Sequence, residues 1–356
     1  MLKIGIITFH WGTNYGAVIQ AYALQTYLSK LGHDVSIINY RPKRYKKTLL
    51  KCFLTPRIWN YKSRIKEYLK EFKLKKFRSK YLNETILYKS QNGLKCNAPK
   101  LDVYICGSDQ IWNPTFTIGG EGKPTSTYFL NFGGSHVRRI AYAVSFGCKD
   151  YPKAAAEIAK KYISSFKAIS VRENSGLEIV SKLGVNNAVK LADPTLLLKK
   201  KEYEVILKQK AKTRNNAFVY ILRGENQVTK KIKAYLNRNY AIESPNSFFN
   251  QYSLEGWLGG IYNASIVLTN SFHGMVFALI FHVPFIVLPA KRKGSGMNDR
   301  FNTLLSHLNL EHRMITEFEV DKLDKLIQEE IDWHKIDQLL AKYKSTTDIF
   351  FNEALN

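Results

Sequence analysis

Five short segments rich in polar residues and glycine each follow a predicted strand in this 356-residue chain. They are residues 10–16, 107–114, 145–147, 172–175 and 270–274. In open α/β sheets, ligands bind beyond the carboxyl ends of the strands, where helix N-termini also point. These segments offer backbone amides for anions and side chains for hydroxyl groups. They are therefore the candidate ligand-binding segments, and the two halves are expected to face a cleft.

One histidine in the last of these segments suits proton transfer. His273 lies at a predicted strand-to-helix junction, where the Gly274 amide and the helix N-terminus favour an anion. A positioned histidine acts as acid or base near neutral pH and contributes roughly 10²–10⁴-fold to a rate. Arg172 and Arg300 are the candidates for binding a carboxylate or phosphate, because a guanidinium donates two parallel hydrogen bonds.

These candidates also have structural interpretations, which the sequence leaves open. His273 can be a packed ring or a helix cap, and residues 14–16 can simply form a tight turn. Residues 107–109 can cap a helix, and Arg172 can pair with Glu173 at the surface. The other seven histidines and the four cysteines show no metal-ligand spacing, so we expect reduced thiols and no metal.

The elements that position these residues alternate between strand and helix. Residues 3–9 predict a strand, residues 17–30 a helix that ends near Gly32, and residues 35–40 a second strand. This is a βαβ unit with parallel strands. Further strands are predicted at residues 101–106, 139–144, 168–171, 188–191, 217–222, 265–269 and 285–288. Further helices are predicted at residues 153–166, 174–183, 227–237, 253–263 and 274–281, and the last 55 residues read as helical.

Two α/β series, separated by a polar stretch at residues 199–216, predict two Rossmann-like doubly wound domains that face a cleft. We place the first domain at residues 1–200, with a basic helical insertion at about 41–80, and the second at 213–356, with a helical C-terminus. The first domain contains neither GxGxxG nor GxxxxGK[ST], so dinucleotide and P-loop sites are unsupported.

The positive charge of the chain is concentrated in the insertion. The chain has 54 Lys and Arg against 29 Asp and Glu, a net charge of +25, and residues 41–80 carry +14 of it. Apolar residues recur there at helical spacing, which predicts a basic amphipathic helix. They are Tyr61, Ile65, Tyr68, Leu69 and Phe72. Such a localised excess argues against a nucleic-acid-binding protein, and no nucleic-acid partner is expected.

Two interpretations of the insertion stay open. It is either a solvated helix face or a peripheral contact with an anionic membrane, in which basic residues contribute on the order of 1 kcal/mol each. The sequence contains no window of 18 apolar residues, and residues 1–8 are too short an apolar run for a signal peptide. We therefore expect a cytoplasmic protein, with or without attachment to the inner face of the membrane.

Six motifs, in order and spacing, resemble the polysaccharide pyruvyl transferase family. They are residues 12–17 followed by Gln20-Ala21, residues 107–110 followed by Trp112-Asn113, residues 142–147, residues 170–173, residues 193–195 and residues 269–274. The resemblance extends over residues 1–313. It implies a fold of the glycosyltransferase B type and transfer of pyruvate from phosphoenolpyruvate onto two sugar hydroxyls, as a cyclic ketal in surface polysaccharide synthesis.

The resemblance also implies the substrates and the site. Phosphoenolpyruvate is the co-substrate, no other cofactor is expected, and the acceptor is a saccharide or a lipid-linked oligosaccharide. His273 is the candidate catalytic residue. The candidate substrate-binding residues are Asn14, Gly16, Ser108, Asp109, Gln110, Arg172, Asn270, Ser271, Gly274 and Arg300.

One motif departs from the family. Several characterised members carry Arg-Leu-His where this chain has Ser271-Phe272-His273. If that arginine binds the donor, another basic residue replaces it here or the donor differs. The alternative function is a nucleotide-sugar-dependent glycosyltransferase of the same fold, with Glu255 at the ribose and residues 291–293 at the diphosphate.

Overall fold

A six-stranded parallel sheet forms the first half of the molecule. The computed structural model describes residues 1–42, 61–117, 125–207, 215–222, 224–245, 251–289 and 298–356. The strands are β1 (Lys3–Ile7), β2 (Asp34–Ile37), β3 (Val103–Asp109), β4 (Arg138–Val144), β5 (Ala168–Val171) and β6 (Val189–Lys190). Their order is β2-β1-β3-β4-β5-β6, and every pairing is parallel. Their apolar runs fit strands that are covered on both faces.

Helices cover this sheet, and the predicted βαβ unit is confirmed. They are α1 (Tyr15–Lys30), α2 (Tyr61–Tyr81), α3 (Gln91–Cys96), α4 (Pro114–Thr117), α5 (Lys153–Ile163), α6 (Asn174–Lys182) and α7 (Lys200–Glu204), with 3₁₀ turns at Thr127–Phe129 and Pro194–Leu196. Helix α1 connects β1 to β2, which pair in parallel with Ile6 opposite Ile37. The crossover delivers the N-terminus of α1 to the carboxyl edge of the sheet.

A four-stranded parallel sheet forms the second half. Its strands are β7 (Asn216–Tyr220), β8 (Ala241–Glu243), β9 (Ile266–Thr269) and β10 (Phe285–Val287), in the order β10-β9-β7-β8. The helices of this half are α8 (Gln227–Leu236), α9 (Leu254–Asn263), α10 (Phe272–Phe281), α11 (Asp299–Leu308) and α12 (Val320–Gln328), with a 3₁₀ turn at Glu311–Arg313. The predicted domain boundary stays a prediction, because residues 208–214 lie outside the described residues.

Helix α10 is apolar around its whole circumference, and all ten of its residues are buried. A helix of this kind must be surrounded by protein on every side. It packs on the neighbouring α9 and also contacts α1 of the first half. This burial fixes the position of its first turn, which carries His273.

The last helix, α13 (Trp333–Leu355), contacts both halves. Near its start, Trp333 stacks on His282, which follows α10, with ring centroids 5.1 Å apart. Near its end, Phe351 packs on Tyr142 of β4 with centroids 4.8 Å apart. Tyr27 of α1 donates a 2.5 Å hydrogen bond to Asp348. The helical C-terminus predicted for the second domain therefore returns to the first sheet.

The basic insertion contains the predicted helix, α2, while residues 43–60 lie outside the described residues. Its buried face differs from the predicted stripe. Leu74 and Phe77 are fully buried, whereas Leu69 and Phe72 are 42% and 49% exposed. The buried positions lie three residues apart, so the helix packs through a stripe that excludes Leu69 and Phe72.

Candidate active site

A cleft of about 750 Å³ opens between the carboxyl edges of the two sheets. This volume lies within the range of about 300–1,000 Å³ that is typical of ligand pockets. Seven of the candidate residues line it: Asn14, Asp109, Gln110, Asn270, Ser271, His273 and Arg300. The other four, Gly16, Ser108, Arg172 and Gly274, are absent from its lining. Loops that follow strands of both halves therefore meet at this cleft, whereas residues 145–147 and 172–175 are absent from its lining.

His273 occupies the first turn of α10 and is 5% exposed. Its Nε2 lies 3.5 Å from Oδ2 of Asp193, a residue that is 1% exposed. Ser271 caps the helix, because its side chain accepts a hydrogen bond from the Gly274 amide at 3.3 Å. The helix cap is thus Ser271, and His273 is a ring that faces the cleft beside a carboxylate.

Asp193 joins the histidine to a buried arginine. Oδ2 of Asp193 accepts a 2.7 Å hydrogen bond from Nη1 of Arg172, and Oδ1 accepts hydrogen bonds from the amide and hydroxyl of Thr195. Burial alone would raise the pKa of the Asp193 carboxyl. The charges of His273 and Arg172 outweigh it and hold that pKa well below its usual range. The site therefore holds an ionised carboxylate beside the His273 ring.

Arg172 is itself surrounded by carboxylates and is 2% exposed. Besides Asp193, it has Asp109 at 3.6 Å and Glu173 at 3.8 Å. The interpretation of Arg172–Glu173 as a surface pair is wrong, because both residues are buried. Arg172 is paired with these three carboxylates, of which Asp109 lines the cleft, so its charge is matched within the protein.

Arg300 faces the cleft from the first turn of α11. Its guanidinium carbon lies 5.4 Å from the ring centroid of Phe272, and that of Arg172 lies 5.1 Å from the same centroid. Burial and the nearby Arg172 lower the pKa of Arg300 to about 10. Its Nε is buried and has no hydrogen-bond partner among the described residues. This arginine is incompletely compensated, as a group awaiting an anion would be.

Several candidates hold backbone in place through their side chains. Asn14 caps α1, with Oδ1 accepting from the Gly16 amide at 2.9 Å. Asn270 Oδ1 accepts from the Leu222 amide at 2.7 Å. Ser108 is fully buried and donates to the Ala143 carbonyl at 2.8 Å. The interpretation of residues 107–109 as a helix cap is wrong, because they lie within β3.

The wall of the cleft contributed by the first half includes residues that the sequence did not single out. Phe9 and Phe116 pack with ring centroids 5.0 Å apart, and Phe9 also meets Trp11 at 6.0 Å. Arg41 and Glu71 line the cleft as an ion pair of 3.0 Å. Phe9 follows β1, so the strand-end rule alone could have identified it. Glu71 arrives on α2, whose packing no local pattern reveals.

Asp193 was also missed as a site residue, although it follows β6 and lies in a family-like motif.

Within the described ranges, no cluster of His, Cys, Asp or Glu has the geometry of a metal site. Within the same ranges, no helix has both the length and the apolar composition needed to cross a membrane.

A family model described as polysaccharide pyruvyl transferase matches residues 14–292, which is more than half of the chain. A search of curated proteins found no match. Among solved structures, the UDP-N-acetylglucosamine 2-epimerase from Rickettsia bellii has 11% identity and a TM-score of 0.53, over 100% of this chain and 96% of that one.

Two further structures share the same fold. An S. aureus MnaA–UDP structure has 10% identity and a TM-score of 0.52, over 99% of this chain and 98% of that one. An α-glucosyltransferase bound to UDP and a 13-mer DNA has 9% identity and a TM-score of 0.51, over all of both chains. The glycosyltransferase B-type fold expected from the sequence is therefore confirmed.

Proposed function

The chain belongs to the polysaccharide pyruvyl transferase family, and from this premise we propose that it moves pyruvate from phosphoenolpyruvate onto two hydroxyls of a sugar acceptor as a cyclic ketal. The observation that carries the proposal is that His273 and Arg300 both line the cleft and that the buried Asp193 lies beside His273. This arrangement combines a proton donor, a carboxylate beside it, and an incompletely compensated cation for the donor anion.

The reaction requires a proton at the methylene carbon of phosphoenolpyruvate. Protonated His273 supplies it, and C2 becomes an oxocarbenium-like centre. A sugar hydroxyl adds to C2 and loses its proton to the now neutral imidazole. Phosphate then leaves with the electrons of its C–O bond. A second hydroxyl adds to C2, loses its proton to the departing phosphate and closes the ketal. Asp193, with Oδ2 3.5 Å from Nε2 of His273, is placed to orient the imidazole for both proton transfers.

Arg300 is the proposed replacement for the family arginine at Ser271. Ser271 caps α10, and the guanidinium of Arg300 lies next to Phe272 in the first turn of that helix. A guanidinium suits the planar carboxylate and the phosphate of the donor. The proposal therefore keeps phosphoenolpyruvate as donor despite the departure from Arg-Leu-His.

The test is incubation with phosphoenolpyruvate and a panel of galactosyl and mannosamine-containing acceptors, followed by phosphate assay and mass spectrometry for the ketal. We expect phosphate release that depends on acceptor and is abolished by His273→Ala. His282→Asn is the matched control, since it alters a histidine at the opposite end of the same helix. Absence of both turnover and phosphoenolpyruvate binding across the panel would contradict the proposal.

A nucleotide-sugar glycosyltransferase is the second candidate, because Glu225, next to the N-cap of α8, lines the cleft in the second half. Glu255, the acid expected from the sequence, lies in the first turn of α9 and is not part of the cleft lining. Residues 291–293 lie outside the described residues. Thermal stabilisation by UDP and none by phosphoenolpyruvate would favour this candidate.

The proposed acceptor is a saccharide or a lipid-linked oligosaccharide that is used in surface polysaccharide synthesis. The proposed location of the reaction is the cytoplasm. Helix α2 supports peripheral contact with an anionic membrane through exposed Leu69 and Phe72. The Lys76 ammonium lies 4.8 Å from the Phe72 ring centroid, so a cation and an apolar group are presented together. This combination is typical of helices that lie in a membrane interface.

A further inference from the structure

The first half of the molecule forms one wall of the cleft, and His273 belongs to the other half. The wall formed by the first half carries a cluster of aromatic side chains. Phe9, Trp11 and Phe116 all line the cleft and are half-buried. Phe9 packs edge-on against Trp11, Phe116 and the buried Tyr128, with ring centroids 6.0, 5.0 and 4.9 Å away. These contacts hold the rings in place before any ligand arrives.

Arg41 and Glu71, on the same wall, form a polar pair with unused hydrogen-bonding capacity. Glu71 is 7% exposed, and its Oε1 accepts from both Arg41, at 3.0 Å, and Arg78, at 2.5 Å. The other carboxylate oxygen, Oε2, and the Nε of Arg41 are buried without a hydrogen-bond partner among the described residues. Both atoms are closed off from solvent, so a ligand in the cleft would reach this pair mainly through the exposed part of Arg41, whose side chain is 25% exposed.

The charges in this cluster are balanced. Arg41 and Arg78 interact electrostatically with Glu84 as well as with Glu71. Burial lowers the pKa of the neighbouring His10 to about 4, which leaves that ring neutral at pH 7. The His10 Nε2 lies 3.5 Å from Glu84. The charges of Arg41 and Arg78 are matched by these carboxylates, so this wall has no excess positive charge to attract a phosphate. A neutral, hydroxyl-bearing ligand therefore suits this wall, and an anion suits the wall that carries Arg300.

The cleft is large enough for two ligands side by side. Pockets of about 300–1,000 Å³ hold drug-sized molecules, and phosphoenolpyruvate is much smaller than these. The cleft of about 750 Å³ leaves space beside a donor bound at Arg300 and His273. That space is bounded by the aromatic cluster and the Arg41–Glu71 pair.

We propose that Phe9, Trp11, Arg41 and Glu71 form the acceptor subsite and bind a pyranose ring, with its C–H face on the aromatic side chains and its hydroxyls on the ion pair. Aromatic rings offer large apolar surfaces, and an arginine–carboxylate pair supplies the donors and acceptors that sugar hydroxyls need. The assignment rests on the proposed function, since it names the second substrate of the same cleft. Because one wall suits an anion and the other suits a neutral ligand, the two walls would orient donor and acceptor.

The experiment measures saccharide binding in the absence of turnover. Saturation-transfer NMR and calorimetry with methyl glycosides of galactose, glucose, mannose and N-acetylmannosamine give the affinity of the wild-type protein. We expect Trp11→Ala to weaken the best of these about tenfold, Trp11→Phe to restore most of the affinity, and Glu71→Gln to weaken it without changing phosphoenolpyruvate binding. Trp333→Ala, which removes a half-buried tryptophan outside the cleft, should leave saccharide affinity unchanged.

The outcomes separate this inference from the proposed function. Trp11-dependent saccharide binding without pyruvyl transfer would keep the subsite and overturn the reaction. Pyruvyl transfer whose acceptor KM is unaffected by Trp11→Ala and Glu71→Gln would keep the reaction and overturn the subsite. Failure of the wild-type protein to bind any of the four glycosides, or equal weakening of glycoside and phosphoenolpyruvate binding in Trp11→Ala, would also overturn it. Circular dichroism checks that each variant is folded.

Discussion

The imidazole of His273 lies directly against the Cα of Gly16, across the boundary between the two halves. A Cβ atom built on Gly16 would lie 2.5 Å from Cγ of His273, closer than non-bonded carbon atoms approach. Gly16 therefore serves the site by leaving room for the histidine of the other half. Gly16 lies in the first turn of α1. Its interpretation as part of a tight turn is therefore compatible with its proposed place near the ligand.

Gly16→Ala should displace the His273 ring and lower kcat by roughly 10²-fold, as misplacement of a catalytic group by about 1 Å can do. The overpacking should also reduce the free energy of unfolding by about 1–3 kcal/mol. Steady-state kinetics and urea unfolding measure the two effects. Gly12→Ala is the control, since a Cβ there meets only the Phe9 carbonyl oxygen at 3.4 Å. Equal kinetics for both variants would contradict the proposed contact.

Asp193→Asn should remove the charge that both His273 and Arg172 face. Breaking such a buried pair costs about 3–5 kcal/mol of unfolding free energy, and activity should fall because the carboxylate beside the His273 ring is lost. Asp348→Asn is the control, because Asp348 accepts a hydrogen bond from the neutral Tyr27 outside the cleft. Denaturant unfolding at pH 7 measures the difference. Wild-type-like stability of Asp193→Asn would show that the ion pair contributes little.

The same carboxylate predicts a dependence on pH. Because the native pKa of Asp193 is lowered, its ionisation stabilises the folded state fully above its unfolded pKa of about 4. That contribution is lost as the pH falls from there through the lower native pKa. The stability difference between the wild-type protein and Asp193→Asn should therefore be constant above about pH 4 and shrink below it. A difference that widens with acid would contradict the assignment.

Arg300→Met should separate stability from function. The lowered pKa of Arg300 means that its charge is not fully compensated in the free protein, so the variant should be no less stable than the wild type. Its KM for phosphoenolpyruvate should rise about 10–100-fold, as expected for the loss of a hydrogen bond to a charged group. Arg238→Met, on a guanidinium 5.4 Å from the Tyr235 ring centroid after α8, is the control. An unchanged KM would reject Arg300 as the donor-binding residue.

Helix α2 predicts binding to anionic vesicles. Lys70 lies 4.0 Å from the Tyr15 ring centroid and Lys73 donates to the Gln251 carbonyl, so both are engaged within the protein. The informative variant is therefore Phe72→Ser combined with Lys75→Glu and Lys76→Glu, three exposed positions. It should abolish salt-sensitive co-sedimentation with phosphatidylserine vesicles.

The matched control for that experiment changes two lysines on α5, Lys160→Glu and Lys161→Glu, which also form an exposed basic pair. We expect this variant to co-sediment like the wild-type protein. Equal recovery of the wild-type protein with neutral and anionic vesicles at low salt would contradict membrane attachment.

The sequence predicted the parallel sheets and the meeting of strand-end loops because both follow from local periodicity and a topological rule. It did not predict that Glu71 would reach the cleft, since this depends on how α2 packs against the rest of the fold. Ser271 illustrates a different limit. Its type suits both a ligand contact and a helix cap, and only the 3.3 Å hydrogen bond from Gly274 shows that it caps the helix.

The course of α13 has a consequence for recombining members of this family. A chimaera that joined residues 1–207 to the second half of a relative would replace α13 as well, and with it Phe351, which packs on Tyr142 of the retained half. The chimaera would then lack the side chain that packs on Tyr142 of β4 in the native protein. A workable exchange takes the second half only up to the residues before Trp333 and retains α13 with the first sheet, so that the transplanted unit has two junctions.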